Sequence, residues 1–154
     1  MNEAGSSAVE TPPPKFRKRL YAVAAVVALF GLADGIYLTV EHVTGRTAQC
    51  IASSGCQEVL SSKYAAIGPI PLASLGALAY FTAFSTALLA AFGSAKCRSL
   101  FALLVGIMFA VTLWLFYLQA FVLHAFCDYC LFSAGVTTVL TLIAITNAVL
   151  RDPR

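Results

Sequence analysis

Four long apolar blocks dominate this sequence and limit what the chain can fold into. Each is about 20 residues or longer, and they lie at residues 20–40, 72–92, 100–123 and 131–150. Because an α-helix rises about 1.5 Å per residue, each block can cross about 30 Å of hydrocarbon. Irregular backbone exposed to lipid would leave its polar groups unpaired, so helices are expected. The sequence therefore predicts an all-α integral membrane protein, a bundle of four transmembrane helices.

The composition supports lipid rather than water as the surrounding solvent. Of the 154 residues, 60% are hydrophobic and only 11% are charged, whereas ordinary soluble domains are about 25% charged. The formal net charge of +3 is too small to indicate a nucleic-acid-binding protein, so no nucleic acid is expected as a partner. We predict one membrane domain at residues 20–150, between a flexible basic tail at 1–19 and a short C-terminus at 151–154.

The positions of the basic residues predict how the bundle crosses the membrane, because Lys and Arg in short connections favour the cytoplasmic side. Eight of them share one side if there are four spans: Lys15, Arg17, Lys18, Arg19, Lys96, Arg98, Arg151 and Arg154. The long connection at 41–71, called the outer loop below, contains only two Lys or Arg residues, Arg46 and Lys63. We therefore expect both termini in the cytoplasm and the outer loop in the periplasm or an equivalent compartment.

Four of the five cysteines fall on the predicted outer side. Cys50 and Cys56 lie in the outer loop, and Cys127 and Cys130 lie where the third span gives way to the fourth. Outer compartments are oxidising and favour disulfide chemistry. The two pairs are far apart in sequence, so their arrival at one membrane surface is the strongest functional signal in the chain. Cys97, in the cytoplasmic link, is interpreted as an incidental thiol.

Cys127 and Cys130 form a Cys-x-x-Cys motif at the predicted start of a helix. The unpaired N–H groups and the positive dipole end found there favour a thiolate at the first cysteine, and the thiolate is the form that attacks disulfides. Such a pair can close on itself or exchange with a third sulfur. Cys50 and Cys56 flank small residues including Gly55, so this pair can swing between an outside partner and the membrane-embedded pair.

Two other interpretations of the outer cysteines stay open on the sequence. A small non-enzymatic membrane subunit held by two structural disulfides would also place four cysteines outside. A zinc site has suitable ligand types, with His42 and His124 nearby. However, an oxidising compartment works against zinc, and the spacing from Cys50 to Cys56 exceeds the common one. No metal is therefore predicted.

Taken in order, these motifs resemble the vitamin K epoxide reductase family, specifically its bacterial members, over roughly residues 20–150. The resemblance rests on the cysteine pair of the outer loop and on the Cys-x-x-Cys that opens the fourth span. Three further stretches are similar to that family: Gly-Leu-Ala-Asp-Gly-Ile-Tyr-Leu-Thr at 31–39, Cys-Gln-Glu-Val-Leu-Ser-Ser-Lys-Tyr-Ala at 56–65, and Gly-Pro-Ile-Pro-Leu-Ala-Ser-Leu-Gly-Ala-Leu-Ala-Tyr at 68–80.

The resemblance implies a quinone-dependent thiol–disulfide oxidoreductase of the bacterial inner membrane that promotes disulfide bond formation. Cys50 would exchange with a thioredoxin-like periplasmic protein, and Cys56 would pass the electrons to Cys127. Cys130 would face and reduce the quinone, either ubiquinone or menaquinone. Ser62 falls on a serine that supports the redox site in this family. The alternative for Ser62 is a helix cap or a surface hydroxyl.

The chain departs from the family in three places. Many bacterial members carry a fused thioredoxin-like domain after a fifth helix, whereas this sequence ends at Arg154, so a separate partner is expected. The vertebrate enzymes carry a Tyr four residues after the motif's second cysteine, where this chain has Ala134, and an Asn near the position of Leu72. These two changes put vitamin K epoxide reduction in doubt, and it remains an alternative function.

Several other residues are candidates for contact with the quinone. A carboxylate inside a span is costly and should face the bundle interior, so Asp34 is predicted at the quinone site; the alternative is an interfacial acid that reaches water. Four aromatic residues follow one another along the third span and are also predicted to line the pocket: Trp114, Phe116, Tyr117 and Phe121. Aromatic residues in membrane helices more often pack or anchor at the interface, and that alternative stays open.

Two polar residues lie beside the first cysteine of the Cys-x-x-Cys motif. His124 can stabilise a thiolate or move a proton near neutral pH, or it is simply a polar residue at the membrane boundary. The charge of Asp128 would oppose a thiolate. In the outer loop, residues 57–66 are predicted to form a short amphipathic helix that shields the pocket from water.

Overall fold

The protein is described here by a computed structural model covering residues 15–150 except 47, 49 and 53. In chain order its helices are α1 (Lys15–Val43), α2 (Cys56–Leu60), α3 (Leu72–Ala91), α4 (Ala95–Tyr117), which continues as a π-helical turn (Leu118–Leu123), and α5 (Asp128–Val149). All four long helices are apolar and long enough to cross a membrane. The predicted all-α membrane bundle is confirmed. Of the predicted tail at 1–19, residues 1–14 lie outside the described residues, as does the predicted C-terminus at 151–154, whereas residues 15–19 belong to α1.

The four long helices form a closed ring in which each contacts two neighbours. α1 packs against α3 and α5, and α4 packs against the same two helices. Small side chains allow this close approach, which drives helix association where lipid is as apolar as the side chains themselves. At Gly35 an added Cβ would lie 3.0 Å from the backbone nitrogen of Ala77. The fully buried alanines of the core are Ala24, Ala28, Ala83, Ala87 and Ala90.

Tyr80 supplies a polar connection inside this apolar core. Its hydroxyl lies 2.7 Å from Ser133 Oγ and 2.8 Å from Thr137 Oγ1. It also donates to the carbonyl of Ser133 at 2.9 Å. These contacts satisfy a buried hydroxyl that would otherwise be costly in an apolar surrounding, and they fix α3 against α5.

Three helix starts lie closer to the N-terminus than the apolar pattern indicated, and α5 is one of them, since it begins at Asp128 rather than at residue 131. α1 starts at Lys15, so the basic cluster belongs to its first turns, as expected for Lys and Arg, which are good helix formers. α4 starts at Ala95 because the Ser94 side chain accepts a hydrogen bond from Cys97 N at 3.4 Å and caps the helix. The apolar blocks therefore locate the spans but not their polar ends.

The outer loop carries the predicted helix, but the predicted extent of 57–66 is too long. α2 ends at Leu60 because the next two serines bond the backbone behind them. Ser61 Oγ donates to Gln57 O at 2.6 Å, and Ser62 Oγ donates to Val59 O at 2.7 Å, which competes with helix continuation. A small hairpin then leads into α3, with strands β1 (Ala66–Ile67) and β2 (Ile70–Pro71).

Candidate redox site

The structure brings the two cysteine pairs together at one end of the bundle. Cys56 and Cys127 belong to one buried cluster, 1% and 0% exposed, and half-buried Cys50 and Cys130 pack against it. Cys50 and Cys56 form a disulfide with their Cα atoms 5.5 Å apart. Cys127 and Cys130 are free thiols, as is Cys97 at the opposite end. A disulfide and a dithiol therefore lie within one cluster.

Gly55 allows the outer loop to reach the Cys-x-x-Cys segment. An added Cβ at this position would lie 2.6 Å from the Phe126 carbonyl oxygen and 2.8 Å from its nitrogen. Because both atoms belong to backbone, neither can move aside as a flexible side chain would. The loop therefore rests directly on the main chain just before Cys127, and the next residue, Cys56, enters the buried cluster. The sequence suggested only mobility for this glycine.

Asp128 fastens the same loop from the other side. Its Oδ2 accepts hydrogen bonds from Ile51 N at 2.9 Å and from Ala52 N at 2.6 Å. These two donors directly follow Cys50, and the acceptor lies inside the Cys-x-x-Cys motif. The sequence alone indicated only that this carboxylate is a charge beside a thiol. We call the pair of hydrogen bonds the Asp128 clamp.

The main chain before Cys127 is irregular, and Gln119 pairs its polar groups. This residue lies in the π-helical turn and is only 4% exposed. Its carbonyl accepts from Ala125 N at 3.2 Å, and its Oε1 accepts from Cys127 N at 3.1 Å. Exposed His124 ends the turn in the left-handed region, with φ 49°. Gln119 was not among the predicted site residues, although an amide inside an apolar span was a usable signal.

The surroundings of Cys127 favour its thiolate. A hydrogen bond from the Cys130 thiol is the largest cause, and with backbone hydrogen bonds of Cys130 and Tyr129 it lowers the pKa of Cys127 to about 7. Burial and the charge of Asp128 act in the opposite direction. The helix start helps as the sequence predicted, but the second cysteine contributes more. Thiolate is therefore present at neutral pH.

A cavity of about 360 Å³ lies beside the cysteine cluster. Cys130 and Asp34 both line it, whereas Cys127 does not. Ser62 also lines it from the outer loop, while its hydroxyl caps the end of α2 by donating to Val59 O. The cavity is mainly apolar with a few polar groups, which is the usual character of a site for a small organic molecule.

Three of the four aromatic residues predicted to line the pocket lie away from this cavity. Trp114, Tyr117 and Phe121 are 60%, 49% and 67% exposed. They stack on one another, with ring centroids 5.9 Å and 5.1 Å apart. None of the three lines the cavity, whereas Phe116 does. Their placement fits the alternative of packing or anchoring in lipid rather than the predicted contact with quinone.

The described part of the chain contains no group of three or more His, Cys, Asp and Glu residues placed to hold a metal ion. The disulfide also occupies two of the four thiols that a Cys₄ zinc site would need.

Comparison with known protein families identifies a family to which this chain is similar. The model described as the Vitamin K epoxide reductase family matches residues 22–145. The matched part is most of the chain and contains both cysteine pairs, the outer loop and the cavity-lining residues of α1, α3 and α5.

Proposed function

Because this chain belongs to the vitamin K epoxide reductase family, a family of membrane oxidoreductases, we propose that it oxidises a thioredoxin-like dithiol protein and reduces a membrane quinone. The observation that carries the proposal is the buried cluster in which a disulfide and a Cys-x-x-Cys dithiol meet beside an apolar cavity. Such a placement connects a water-soluble thiol donor with a lipid-soluble electron acceptor.

Electrons enter at Cys50. Of the two sulfurs of the outer disulfide, Cys56 is 1% exposed, whereas Cys50 is half-buried beside Ile51, which is 88% exposed. A thiolate of the partner therefore attacks Cys50, forms a mixed disulfide and releases Cys56 as a thiolate. The partner's second thiol then attacks the partner's own sulfur in this mixed disulfide. The partner leaves with an internal disulfide, and Cys50 is released as a thiolate.

The electrons next pass between the two cysteine pairs. The Cys56 thiolate attacks Cys127 of a closed Cys127–Cys130 disulfide, and Cys130 leaves as a thiolate at the cavity. Cys50 then attacks Cys56, which closes the outer disulfide again and releases Cys127. The result is an outer disulfide and an inner dithiol, the arrangement of the described structure. Cys127 is a good leaving group because its pKa is lowered to about 7.

The inner dithiol is oxidised at the cavity. A bound quinone supplies a two-electron acceptor that also takes up two protons. Cys130 lines the cavity and Cys127 does not, so Cys130 is the cysteine that contacts the quinone, and Cys127 closes the disulfide onto it. Asp34 lines the same cavity and is placed to pass a proton. The volume of about 360 Å³ lies within the usual range for small-molecule sites, roughly 300–1,000 Å³.

The distribution of basic residues supports the orientation. Lys15, Arg17, Lys96 and Arg98 lie at the helix ends opposite the cysteine cluster, and such residues favour the cytoplasmic side. We therefore place the redox site on the periplasmic face of a bacterial inner membrane, with both termini in the cytoplasm. That face is kept oxidising, as the chemistry requires.

Two observations weigh against the alternative functions. In a subunit held by two structural disulfides, Cys127 would have no need of a lowered pKa, and Cys130 would have no need of a neighbouring cavity. Leu72 and Ala134, which replace the vertebrate Asn and Tyr, both line the cavity. Those two polar contacts are therefore missing where a vitamin K epoxide would bind.

Quinone reduction by the purified protein in nanodiscs tests the proposal. A reduced thioredoxin-like protein serves as donor, and ubiquinone or menaquinone reduction is followed by absorbance. We expect Cys130→Ser to abolish turnover, while Cys97→Ser, which alters a half-buried thiol at the other end of the bundle, leaves it unchanged. Wild-type turnover in the Cys130 variant would contradict the proposal. Turnover of vitamin K epoxide but not of quinone would favour the alternative substrate.

A further inference from the structure

A second cavity lies at the end of the bundle opposite the cysteines. Its volume is about 380 Å³, and it is lined by the first turns of α1 and α4 and the last turns of α5. Arg17 enters it from α1, Arg98 and Ser99 from α4, and Asn147 from α5. The quinone proposal assigns no role to any of these residues.

Three polar atoms of side chains that line this cavity are buried without a hydrogen-bond partner in the part of the chain that the structure describes. They are Arg17 Nε, Arg98 Nε and Asn147 Oδ1. Asn147 is only 2% exposed, and its Nδ2 already donates to Ile143 O at 2.9 Å. Buried polar groups are normally paired, since an unpaired one costs about 1–3 kcal/mol. This set is therefore best explained by a ligand.

The unpaired atoms define the ligand's chemistry. Two guanidinium groups donate hydrogen bonds and suit a phosphate, which they bind with planar geometry. Asn147 Oδ1 can only accept, so the ligand must also carry a donor. No acidic residue lines the cavity among the described residues, and α1 and α4 both begin here, where helix dipoles favour an anion.

We propose that this cavity binds an anionic phosphodiester with a hydroxyl group on its substituent, as in the head group of phosphatidylglycerol. The phosphate lies between Arg17 and Arg98, and a glycerol hydroxyl donates to Asn147 Oδ1. Because these residues lie at the ends of membrane-spanning helices, they are at the depth of lipid head groups, where basic pockets between helices bind anionic lipids.

Lipid binding to the full chain in phosphatidylcholine nanodiscs tests the proposal. Phosphatidylglycerol is added in steps, and the lipid molecules that stay bound to the protein are counted by native mass spectrometry. The Arg17→Gln/Arg98→Gln double variant should bind phosphatidylglycerol at least about tenfold more weakly. The matched control is Arg19→Gln/Lys96→Gln, which removes the same charge from exposed neighbours outside the cavity. It should weaken binding clearly less than the Arg17→Gln/Arg98→Gln variant does. Equal losses in both would overturn the proposal, because bulk charge alone would then explain binding.

The hydroxyl contact is tested by comparing lipids on the unaltered protein. Phosphatidylpropanol has the same phosphodiester without free hydroxyls, so we expect it to bind roughly fivefold or more weakly than phosphatidylglycerol. Asn147→Leu should remove this difference while leaving the arginines in place. Equal binding of both lipids to the unaltered protein overturns the hydroxyl assignment, and it does so even if a variant fails to fold.

Two further experiments identify the source of the anion. Inorganic phosphate at millimolar concentration should not displace the lipid, and displacement would make a free anion the ligand instead. Asp152, five residues beyond Asn147 in sequence, offers a carboxylate of the chain itself. A tenfold gain of lipid affinity in Asp152→Asn would identify that carboxylate as the occupant and contradict the proposal.

Discussion

Removing the Asp128 clamp should slow electron transfer between the two cysteine pairs. The carboxylate accepts from Ile51 N at 2.9 Å and Ala52 N at 2.6 Å, and both donors belong to the loop that carries the outer disulfide. At an exposed site each bond contributes about 1 kcal/mol, so Asp128→Ala costs about 2 kcal/mol of loop docking. The ratio of docked to undocked loop then falls about 30-fold. Transfer needs the docked loop and should slow by up to that factor.

Asp128→Asn separates the clamp from the charge. The negative charge of Asp128 raises the pKa of Cys127, so either variant makes Cys127 a better leaving group. Only the amide, however, still offers an oxygen to the two loop N–H groups, with bonds about half as strong as those of a carboxylate. The Asn variant should therefore transfer electrons roughly fivefold faster than the Ala variant.

Acid-quenched exchange measures these rates. Fully oxidised protein in nanodiscs without quinone is mixed with a reduced thioredoxin-like protein, and new thiols are tagged with maleimide and located by mass spectrometry. Thiols appearing at Cys127 and Cys130 report transfer within the chain. The mixed disulfide at Cys50 reports attack by the partner and serves as the internal control. Transfer at the wild-type rate in Asp128→Ala, or equal acceleration in both variants, would refute the clamp.

Three further changes test other parts of the site. In the reduced protein, thiolate absorbance at 240 nm should rise with pH through a midpoint near 7 for Cys127, so that about a tenth of this thiol is ionised at pH 6 and about nine tenths at pH 8. Cys130→Ala should move the midpoint upward, because it removes the hydrogen bond that lowers the pKa of Cys127. An unchanged midpoint would contradict the role of that hydrogen bond. Gly55→Ala should slow electron transfer between the cysteine pairs by about tenfold or more, because the added Cβ would lie 2.6 Å from a backbone oxygen. Gly135→Ala is the control, since Gly135 has open space around it. Equal transfer rates in the two variants would contradict the close contact at Gly55. Asp34→Asn should slow quinone turnover while the protein still inserts into the membrane, and normal turnover would remove Asp34 from the mechanism.

The apolar blocks were sufficient to predict the fold, because lipid leaves a chain few ways to satisfy its backbone. They could not predict where the third span becomes irregular. Leu118 to Leu123 continue the apolar pattern, yet the structure has a π-helical turn there, and His124 adopts a left-handed conformation. No Gly or Pro marks that change. The irregular end is held by the hydrogen bonds of Gln119 to Ala125 and Cys127, which the apolar pattern does not reveal.

The sequence predicted which end of the bundle each site residue occupies, but not which way its side chain faces around the helix axis. The order of the spans alone puts Cys50 and Cys127 at the same end of the bundle. Whether a side chain of the third span faces the cavity depends on how α4 turns about its axis. Trp114 and Phe116 are only two residues apart, yet the first lies outside the cavity and the second lines it. Sequence order along a span cannot distinguish such positions.

The irregular end of the third span explains how a Cys-x-x-Cys motif can be buried at a helix start. A helix that began within an apolar surrounding would leave its first N–H groups unpaired, at several kcal/mol each. Gln119 Oε1 pairs the N–H of Cys127, and the Cys127 sulfur accepts from the N–H groups of Tyr129 and Cys130. The extended segment between Ala125 and Cys127 also presents the main chain on which Gly55 rests. A continuous helix would pair its own backbone but present side chains instead, and would keep the outer disulfide away from Cys127. Local irregularity at this boundary is therefore a condition for contact between the two cysteine pairs.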